Sequence, residues 1–458
     1  MDTAKVEGRL DLDTLRAEVE AGRIDTVLLA MTDMQGRLQG KRLTAEHFLE
    51  EVAEEDAEGC TYILAVDVDM ETVEGYEMTS WSSGYGDFVF RPDMDTLRVT
   101  PWLEGTALVT CDVMWQDGSP VAPSPRQILL RQIERLAELG LVPFAGTELE
   151  FLVFRDTYEE AWRKAYRDLE PANYYNVDYS LLGTARVEPL LRRIRNCMKG
   201  AGLKIEDAKG ECNYGQHEIN VHFDEALKSA DGHSVYKNGA KEIASQMGYA
   251  LSFMPKFNEL DGNSCHVHLS LQSQDGEAVF PGDDDGGHGF SQTFQHFLAG
   301  QLACMREMAL FFAPNINSYK RYAKGSFAPT AVAWALDNRT CSLRVVGHGK
   351  SLRVENRTPG GDVNPYLAIS AMIAAGIHGI ENELPLEDEV EGSAYEADKP
   401  QLPSNIYESR DLFTNSDVTR KAFGDEVVDH YTNMAQVEID AFELAVTDWE
   451  RYRNFERL

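Results

Sequence analysis

Two glutamates set two residues apart in an otherwise apolar run, Ala145-Gly146-Thr147-Glu148-Leu149-Glu150-Phe151-Leu152-Val153-Phe154, constrain the fold of this chain more than any other feature. A strand period of two turns both carboxylates to one face. Burying two like charges together is costly unless a cation or arginines compensate, so the pair points to a divalent metal or an acid/base dyad. Alone, it would fit a water-exposed strand edge equally well. The device recurs, however. Glu218 lies in Gly215-Gln216-His217-Glu218-Ile219-Asn220-Val221-His222-Phe223, His266, His268 and Ser270 alternate within 261–270, and Arg353, Glu355 and Arg357 alternate within 352–358. Four strands that turn polar, metal-competent side chains to one face predict one sheet with a shared cavity. Hard oxygen donors with few imidazoles favour Mg²⁺ or Mn²⁺ over zinc or copper.

A second set is cationic: Arg321, Arg339, Arg344, Lys350, Arg353 and Arg357 fall in one stretch of a chain with 43 Lys+Arg against 76 Asp+Glu. Arginine forks grip carboxylate and phosphate oxygens in planar, bidentate fashion. Beside metal-binding carboxylates they suit phosphoryl transfer, whose catalysis is mainly positioning and charge neutralisation. No G-x-x-x-x-G-K-[ST] loop or G-x-G-x-x-G fingerprint occurs, so a nucleotide must be held by another architecture. The net charge of −33 argues against nucleic acid or an anionic membrane surface as partner. Seven cysteines at wide, irregular spacing read as free thiols of a reducing compartment. The polar first 13 residues lack an apolar leader core, and the longest apolar runs, such as 371–377, are too short to cross a bilayer. A cytoplasmic location is the expectation.

Residues 25–30 read as a strand, Asp33-Met34-Gln35-Gly36 as a turn and 38–43 as a second strand, together a hairpin. Thr44 can cap a helix through Phe48 and Val52, and residues 61–68 and 106–115 read as further strands. The Pro-rich Asp117-Gly118-Ser119-Pro120-Val121-Ala122-Pro123-Ser124-Pro125 marks a boundary, which divides the chain into a small α+β domain at 1–118 and a larger one at 119–458. Ser124 as N-cap and Pro125 at the first helical position start a helix that Gly140 stops. Beyond it, strands alternate with helices, including 294–312, 365–384 and a long C-terminal helix over 419–455. Residues 272–289, with the run Asp283-Asp284-Asp285, and the acidic 385–417 are expected as surface excursions, either plain loops or segments with a regulatory or lid role.

The segment Asn317-Ser318-Tyr319-Lys320-Arg321-Tyr322-Ala323-Lys324-Gly325-Ser326-Phe327-Ala328-Pro329 resembles the glutamate-binding flap of glutamine synthetases, and further motifs of that family follow one another in order from about Asp25 onward. The resemblance implies an α+β fold: a small N-terminal β-grasp domain, then a catalytic domain whose curved antiparallel sheet, flanked by helices, lines a funnel between neighbouring subunits of a ring. It implies a homo-oligomer, a dodecamer of two hexameric rings, acting on ATP and glutamate with two or more Mg²⁺ or Mn²⁺ per site. By the same resemblance Glu150, Glu211 and Glu218 would bind one ion, and Glu148, His266 and Glu355 the other. ATP would lie near Glu206, Phe223, His268, Ser270, Arg344, Lys350 and Arg353. Glutamate would be gripped by Asp261, Gly262, His266, Arg321 and Arg357, with Arg339 facing the transferred phosphoryl group.

The departures from that pattern concern the nucleophile. Phe327 stands where the ammonia-using enzymes carry a glutamate that helps to hold and deprotonate ammonium, and the short Asp-Gly-Ser-Ser latch of their first domain is replaced by the longer, more aromatic Tyr62-Ile63-Leu64-Ala65-Val66-Asp67-Val68-Asp69-Met70-Glu71-Thr72-Val73-Glu74-Gly75-Tyr76. Asp87 still matches the second acidic residue of the ammonium site. Phe327, Asp87 and Glu74 are therefore the candidates for the amine pocket, with Asp87 or an acidic residue of 67–74 as the base. Asp261 replaces an asparagine that contacts the glutamate amino group and keeps an acceptor there. Tyr395 lies near a tyrosine that some bacterial members adenylylate, but its surroundings lack the target's leucine-proline context, so adenylylation is not expected. The resemblance is to the branch that joins glutamate to organic amines. The first expectation is a γ-glutamylpolyamine synthetase; a ligase for ethanolamine or another monoamine, an ammonia-dependent glutamine synthetase and a non-catalytic ring-forming homologue are the alternatives.

Overall fold

The computed structural model describes residues 7–282 and 288–458, so the run Asp283-Asp284-Asp285 lies outside the described residues. The hairpin forms as expected: β1 (Thr26–Thr32) pairs with β2 (Leu38–Thr44) in unbroken register from Thr26↔Thr44 to Thr32↔Leu38. Its turn is set by Asp33, whose carboxylate accepts the Arg37 amide at 2.8 Å, and by Gly36 at φ +78°. With β3 (Ala57–Cys60), β4 (Asp87–Pro92), β5 (Arg98–Val99) and β6 (Thr106–Met114) it makes a six-stranded sheet of order β2-β1-β6-β4-β3, with β5 beside β6. β1 and β6 run parallel and the other pairs antiparallel.

The second sheet has nine strands: β7 (Leu141–Phe154), β8 (Ile205–Gly210), β9 (Gln216–Val221), β10 (Asp224–Glu225), β11 (Ala250–Ser252), β12 (Cys265–Ser273), β13 (Trp334–Leu336), β14 (Leu343–Val346) and β15 (Arg353–Asn356). Its order is β13-β14-β15-β12-β7-β9-β8, with β10 and β11 also on β7, and among the described residues only β13 and β14 run parallel. The long β7 is the spine of this sheet because it pairs with β9, β10, β11 and β12. Behind the sheet lies the apolar helix Pro365–Glu381, started by Asn364, whose side chain accepts the Tyr366 amide. The helix Gln292–Cys304 packs on it so closely that a Cβ at Gly300 would fall 2.1 Å from the Ala375 carbonyl.

Two devices tie the sheets together. The Asn364 amide nitrogen also donates to the carbonyls of Asp33 (3.0 Å) and Met34 (3.1 Å) in the hairpin turn. Arg126, buried in the helix Pro125–Glu138, bonds Asp93 and Asp112 of the first sheet's side and Asp231 of the helix Ala226–Gln246. None of the seven cysteines, all among the described residues, is joined in a disulfide.

Several expected elements change shape. Residues 61–68 are not a strand: β4 runs out of partners where Asp87 faces Cys60, so the chain turns into a 3₁₀ segment, Thr61–Leu64. Burial of Leu64, Ala65 and Val66 in the core, not a ladder, explains that apolar run. The helix after Thr44 does form, with a π turn at Phe48–Val52. The expected helix over 294–312 splits into Gln292–Cys304 and Ala309–Phe312. The long C-terminal helix becomes Asp417–Phe423, Asp425–Leu444 and Asp448–Asn454, broken by Gly424 at φ +86° and restarted by a Thr447/Glu450 capping box. The excursion 385–417 carries a helix of its own, Ile406–Asn415.

Candidate active site

Strand register assembles the site. Glu150 on β7 stands opposite Glu218 on β9, Glu148 opposite His266 on β12, and His268 opposite Glu355 on β15. Glu211, just past β8, joins the first pair, and one oxygen from each of Glu150, Glu211 and Glu218 lies within 4.8 Å of the others. Glu150 is buried, and its Oε2 accepts the Ser264 amide at 2.7 Å and the Gln216 side-chain amide at 3.1 Å. Burial, with Glu211 and Glu218 beside it, pushes the Glu150 carboxyl well above the usual range. Glu218 is pushed up to about 8 by burial and by Glu148 and Glu211, and burial also raises Glu211. Three carboxyls that resist ionising together form a cluster short of positive charge. An all-oxygen donor set of this kind fits a hard divalent cation.

The second cluster is Glu148, His266 and Glu355, likewise within 4.8 Å of one another. The Glu148 carboxylate accepts from His266 Nδ1 (3.1 Å) and His268 Nε2 (2.9 Å). Burial opposes ionisation of Glu148, but those two imidazoles outweigh it and hold the carboxyl well below the usual range. Glu355 behaves alike: burial works against its charge, yet His266 and Arg357 bring it down to about 2. Burial, with Arg357 adding repulsion, lowers His266 to about 4, so the ring is a neutral donor atom ready for a metal.

Beside the clusters opens a cavity of about 400 Å³ lined by Glu206, Phe223, His268, Ser270, Lys350 and Arg353, among others. Six of the seven residues expected near ATP thus meet at one wall; the seventh, Arg344, instead bonds Asp337 and Glu355. Phe223 is half exposed, stacked on His222 at a centroid distance of 4.4 Å and edge-on to Phe144 at 6.3 Å. That leaves an aromatic face for a planar base.

Arg321 is buried, and its guanidinium donates to the Thr358 carbonyl (2.8 Å), the Ser264 hydroxyl (3.1 Å) and the Arg357 carbonyl (3.1 Å). Its Nε is buried and has no hydrogen-bond partner among the described residues, a donor that a substrate carboxylate would satisfy. Gly262 makes room for this arginine, since a Cβ there would sit 2.5 Å from Arg321 Cγ. Arg357 pairs with Glu355 at 2.5 Å and donates to the carbonyls of Arg339 (3.2 Å) and Phe327 (3.3 Å). Arg339 itself is exposed, and its backbone carbonyl is what engages Arg357. Asp261 is half-buried, and its carbonyl accepts from Asn213. Phe327 projects from the flap with 56% of its surface exposed.

Two expected residues are not brought in. Asp87 is exposed at the start of β4, and Glu74 is fixed through its carbonyl to Asn433, 3.0 Å away; among the described residues no contact joins either to the clusters. Sequence reasoning also missed Lys209, which faces Glu218 across β8 and β9, pairs with Glu211, and has Asp178 at 3.6 Å and the Tyr179 ring at 4.9 Å. The signal was its place two residues before Glu211. Gln216, which joins Glu150 to the Asn263 side chain and the Gly262 carbonyl, gave no signal at all.

Residues 122–454 match the family described as glutamine synthetase, catalytic domain. The chain is 62% identical over 449 residues to the gamma-glutamylethanolamide synthetase GlnA4 of Streptomyces coelicolor, covering 98% of this chain and 96% of that one. It is 38% identical over 453 residues to the glutamate–isopropylamine ligase of a Pseudomonas species, covering 98% of each. The solved structure "GmaS/ADP complex-Conformation 1" superposes with a TM-score of 0.85 at 25% identity, covering 96% of this chain and 99% of that one. Among the described residues, no helix is long and apolar enough to cross a membrane.

Proposed function

Because this chain belongs to the glutamine synthetase family, we propose that it joins the γ-carboxylate of glutamate to a small monoamine, ethanolamine first, with ATP as phosphoryl donor. The observation that carries the amine is the 62% identity, over nearly the whole chain, to a gamma-glutamylethanolamide synthetase. A second relative is named for isopropylamine, also a small amine with one nitrogen. Together they support a monoamine in place of the polyamine expected from the sequence. Phe327 supports an organic amine over ammonium, because a ring offers methylenes an apolar wall and offers ammonium no oxygen partner.

The residues divide the work along the two steps. In the first, the γ-phosphoryl of ATP passes to a γ-carboxylate oxygen of glutamate, giving γ-glutamyl phosphate and ADP. The Phe223 face suits the base, Lys350 and Arg353 on the cavity wall suit the phosphates, and Arg321 with its free Nε suits a glutamate carboxylate. Divalent cations held by Glu150, Glu211 and Glu218 and by Glu148, His266 and Glu355 would neutralise charge on the reacting oxygens. In the second step the amine nitrogen attacks the acyl carbon, inorganic phosphate leaves, and one N–H proton passes to a base. Asp87 is our candidate for that base, acting across a junction between copies in a closed ring, with the dodecamer of two hexamers as the proposed assembly.

The test is phosphate release with glutamate, ATP and Mg²⁺ or Mn²⁺ across ethanolamine, isopropylamine, putrescine, spermidine and ammonium, with the product identified by mass. Highest kcat/KM with ethanolamine is expected. A higher value for a polyamine would overturn the choice of amine, and a higher value for ammonium would overturn the reading of Phe327.

A further inference from the structure

Residues 390–402 form a strap laid along the flap and the segment after it. The Val390 amide donates to the Trp334 carbonyl (3.0 Å), the Ala394 amide to the Thr340 hydroxyl (2.9 Å) and the Leu402 amide to the Thr330 carbonyl (2.9 Å). Val390 and Ala394 also close a small apolar core with Ala333, Ala335 and Cys341. The strap is therefore a rigid seat for Tyr395, the residue that the expected chemistry left without a role. The Tyr395 hydroxyl donates to the Ala328 carbonyl at 2.9 Å. One residue earlier, the Phe327 carbonyl accepts from Arg357 at 3.3 Å. Between these two holds Phe327 sits at φ +56°, a left-handed conformation that an aromatic residue keeps only when its surroundings fix it.

We infer that Tyr395 is a positioning residue for the amine: through the Ala328 carbonyl it holds Phe327 in its left-handed conformation and so sets where the ring stands. This rests on the reading of Phe327 as a wall of the amine pocket. Among the described residues Tyr395 makes no hydrogen bond to either metal cluster, and its hydroxyl is tied to the flap. The ion pair of Lys324 with Glu396, 3.3 Å and exposed, is a weaker second tie between flap and strap.

Tyr395→Phe keeps the ring and removes the hydrogen bond. In the full-length protein, hydrogen exchange of the amides at 323–328 should speed up about fivefold, the weight of one neutral hydrogen bond. The KM for ethanolamine should rise by a similar factor, while the KM values for glutamate and ATP stay within twofold. In a Phe327→Gly background, where the left-handed conformation carries no strain, the same substitution should change flap exchange by less than twofold. Unchanged exchange in Tyr395→Phe overturns the inference, and so does an equal rise in the KM for glutamate and for the amine, which marks general loosening. If the wild-type protein accepts only ammonium, the monoamine reading fails alone; faster flap exchange with a raised ammonium KM would still uphold the tether.

Discussion

Replacing Arg126 by methionine should destabilise the chain by about 3–5 kcal/mol, the usual cost of leaving buried carboxylates without their partner. Arg126 is 3% exposed and contacts Asp93 (2.5 Å), Asp112 (2.5 Å) and Asp231 (3.1 Å), the last only 2% exposed and also bonded by the Tyr366 hydroxyl at 2.5 Å. Methionine matches the stem of the side chain, so the loss isolates the guanidinium. If the 458-residue chain unfolds as one unit, its unfolding entropy is roughly 1 kcal/mol/K, and the melting temperature should fall by about 4 °C. The pH dependence is the sharper mark. Burial already raises Asp112 despite Arg126, and without that arginine protonation becomes the relief for the stranded acids. The deficit of Arg126→Met should therefore be larger at pH 8 than at pH 5. The control is Arg420→Met, whose partners Asp425 and Asp429 are exposed and whose loss should cost under about 1 kcal/mol. Equal small losses for the two variants in urea titrations at one protein concentration, or a deficit independent of pH, would refute the argument.

Glu150→Ala or Glu218→Ala should abolish glutamate-dependent ADP formation, and excess chelator should do the same to the native protein; full turnover in chelator would rule out the metal assignment. Phe327→Glu should raise the KM for ethanolamine about 15-fold, the equivalent of two methylenes losing an apolar wall at ~0.8 kcal/mol each, and should admit some ammonium; steady-state kinetics with both nucleophiles checks this. His430, buried on the helix Asp425–Leu444 against Met34 and Tyr76, is lowered by burial to about 3. Unfolded His binds its proton near 6.5 while the folded ring stays neutral, so its contribution is complete above about 6.5 and is lost as pH falls toward 3, by up to about 1.4 kcal/mol per unit. His430→Phe should flatten that part of the stability–pH curve, and an unchanged slope would count against it.

The shared faces were legible because strand periodicity is two: Glu148 and Glu150, and likewise His266 and His268, had to point one way once β7 and β12 formed, whereas the division into two clusters and the place of Glu211 were implied by the family resemblance alone. The hairpin at 26–44 and the Pro125 helix start were legible for the same local reason, since turn and cap chemistry act within four residues. Residues 61–68 misled because an apolar run reports burial, and only the end of β4 at Asp87 decides that no strand lies beside it. The C-terminal breaks were written in Gly424 and in Thr447 with Glu450, but the apolar period runs across them and masks them. The tie from Tyr395 to the flap could not be found from the sequence, because its partner Ala328 lies 67 residues away and the contact is made by a backbone carbonyl.

Glu148 and Glu150 show where sequence logic stops. They share a strand, a face and a residue type, yet Glu148 is held well below the usual range and Glu150 is pushed well above it. The difference comes from across the sheet: β12 sets His266 and His268 against Glu148, whereas β9 sets Glu218 against Glu150. Glu148, hydrogen-bonded by two imidazoles, is therefore ionised before a cation arrives, whereas Glu150, Glu211 and Glu218 are held back from ionising by burial and by one another despite Lys209 and Arg321, and gain much from a cation. In a titration of Mn²⁺ into the native protein, binding at the three-glutamate cluster should thus release protons between pH 6 and 8, and binding at the Glu148 cluster should release few. Glu218→Gln should reduce that release, because it removes one raised carboxyl and relieves the repulsion on Glu150 and Glu211, and a release equal to that of the native protein would show that Glu218 carries no proton there.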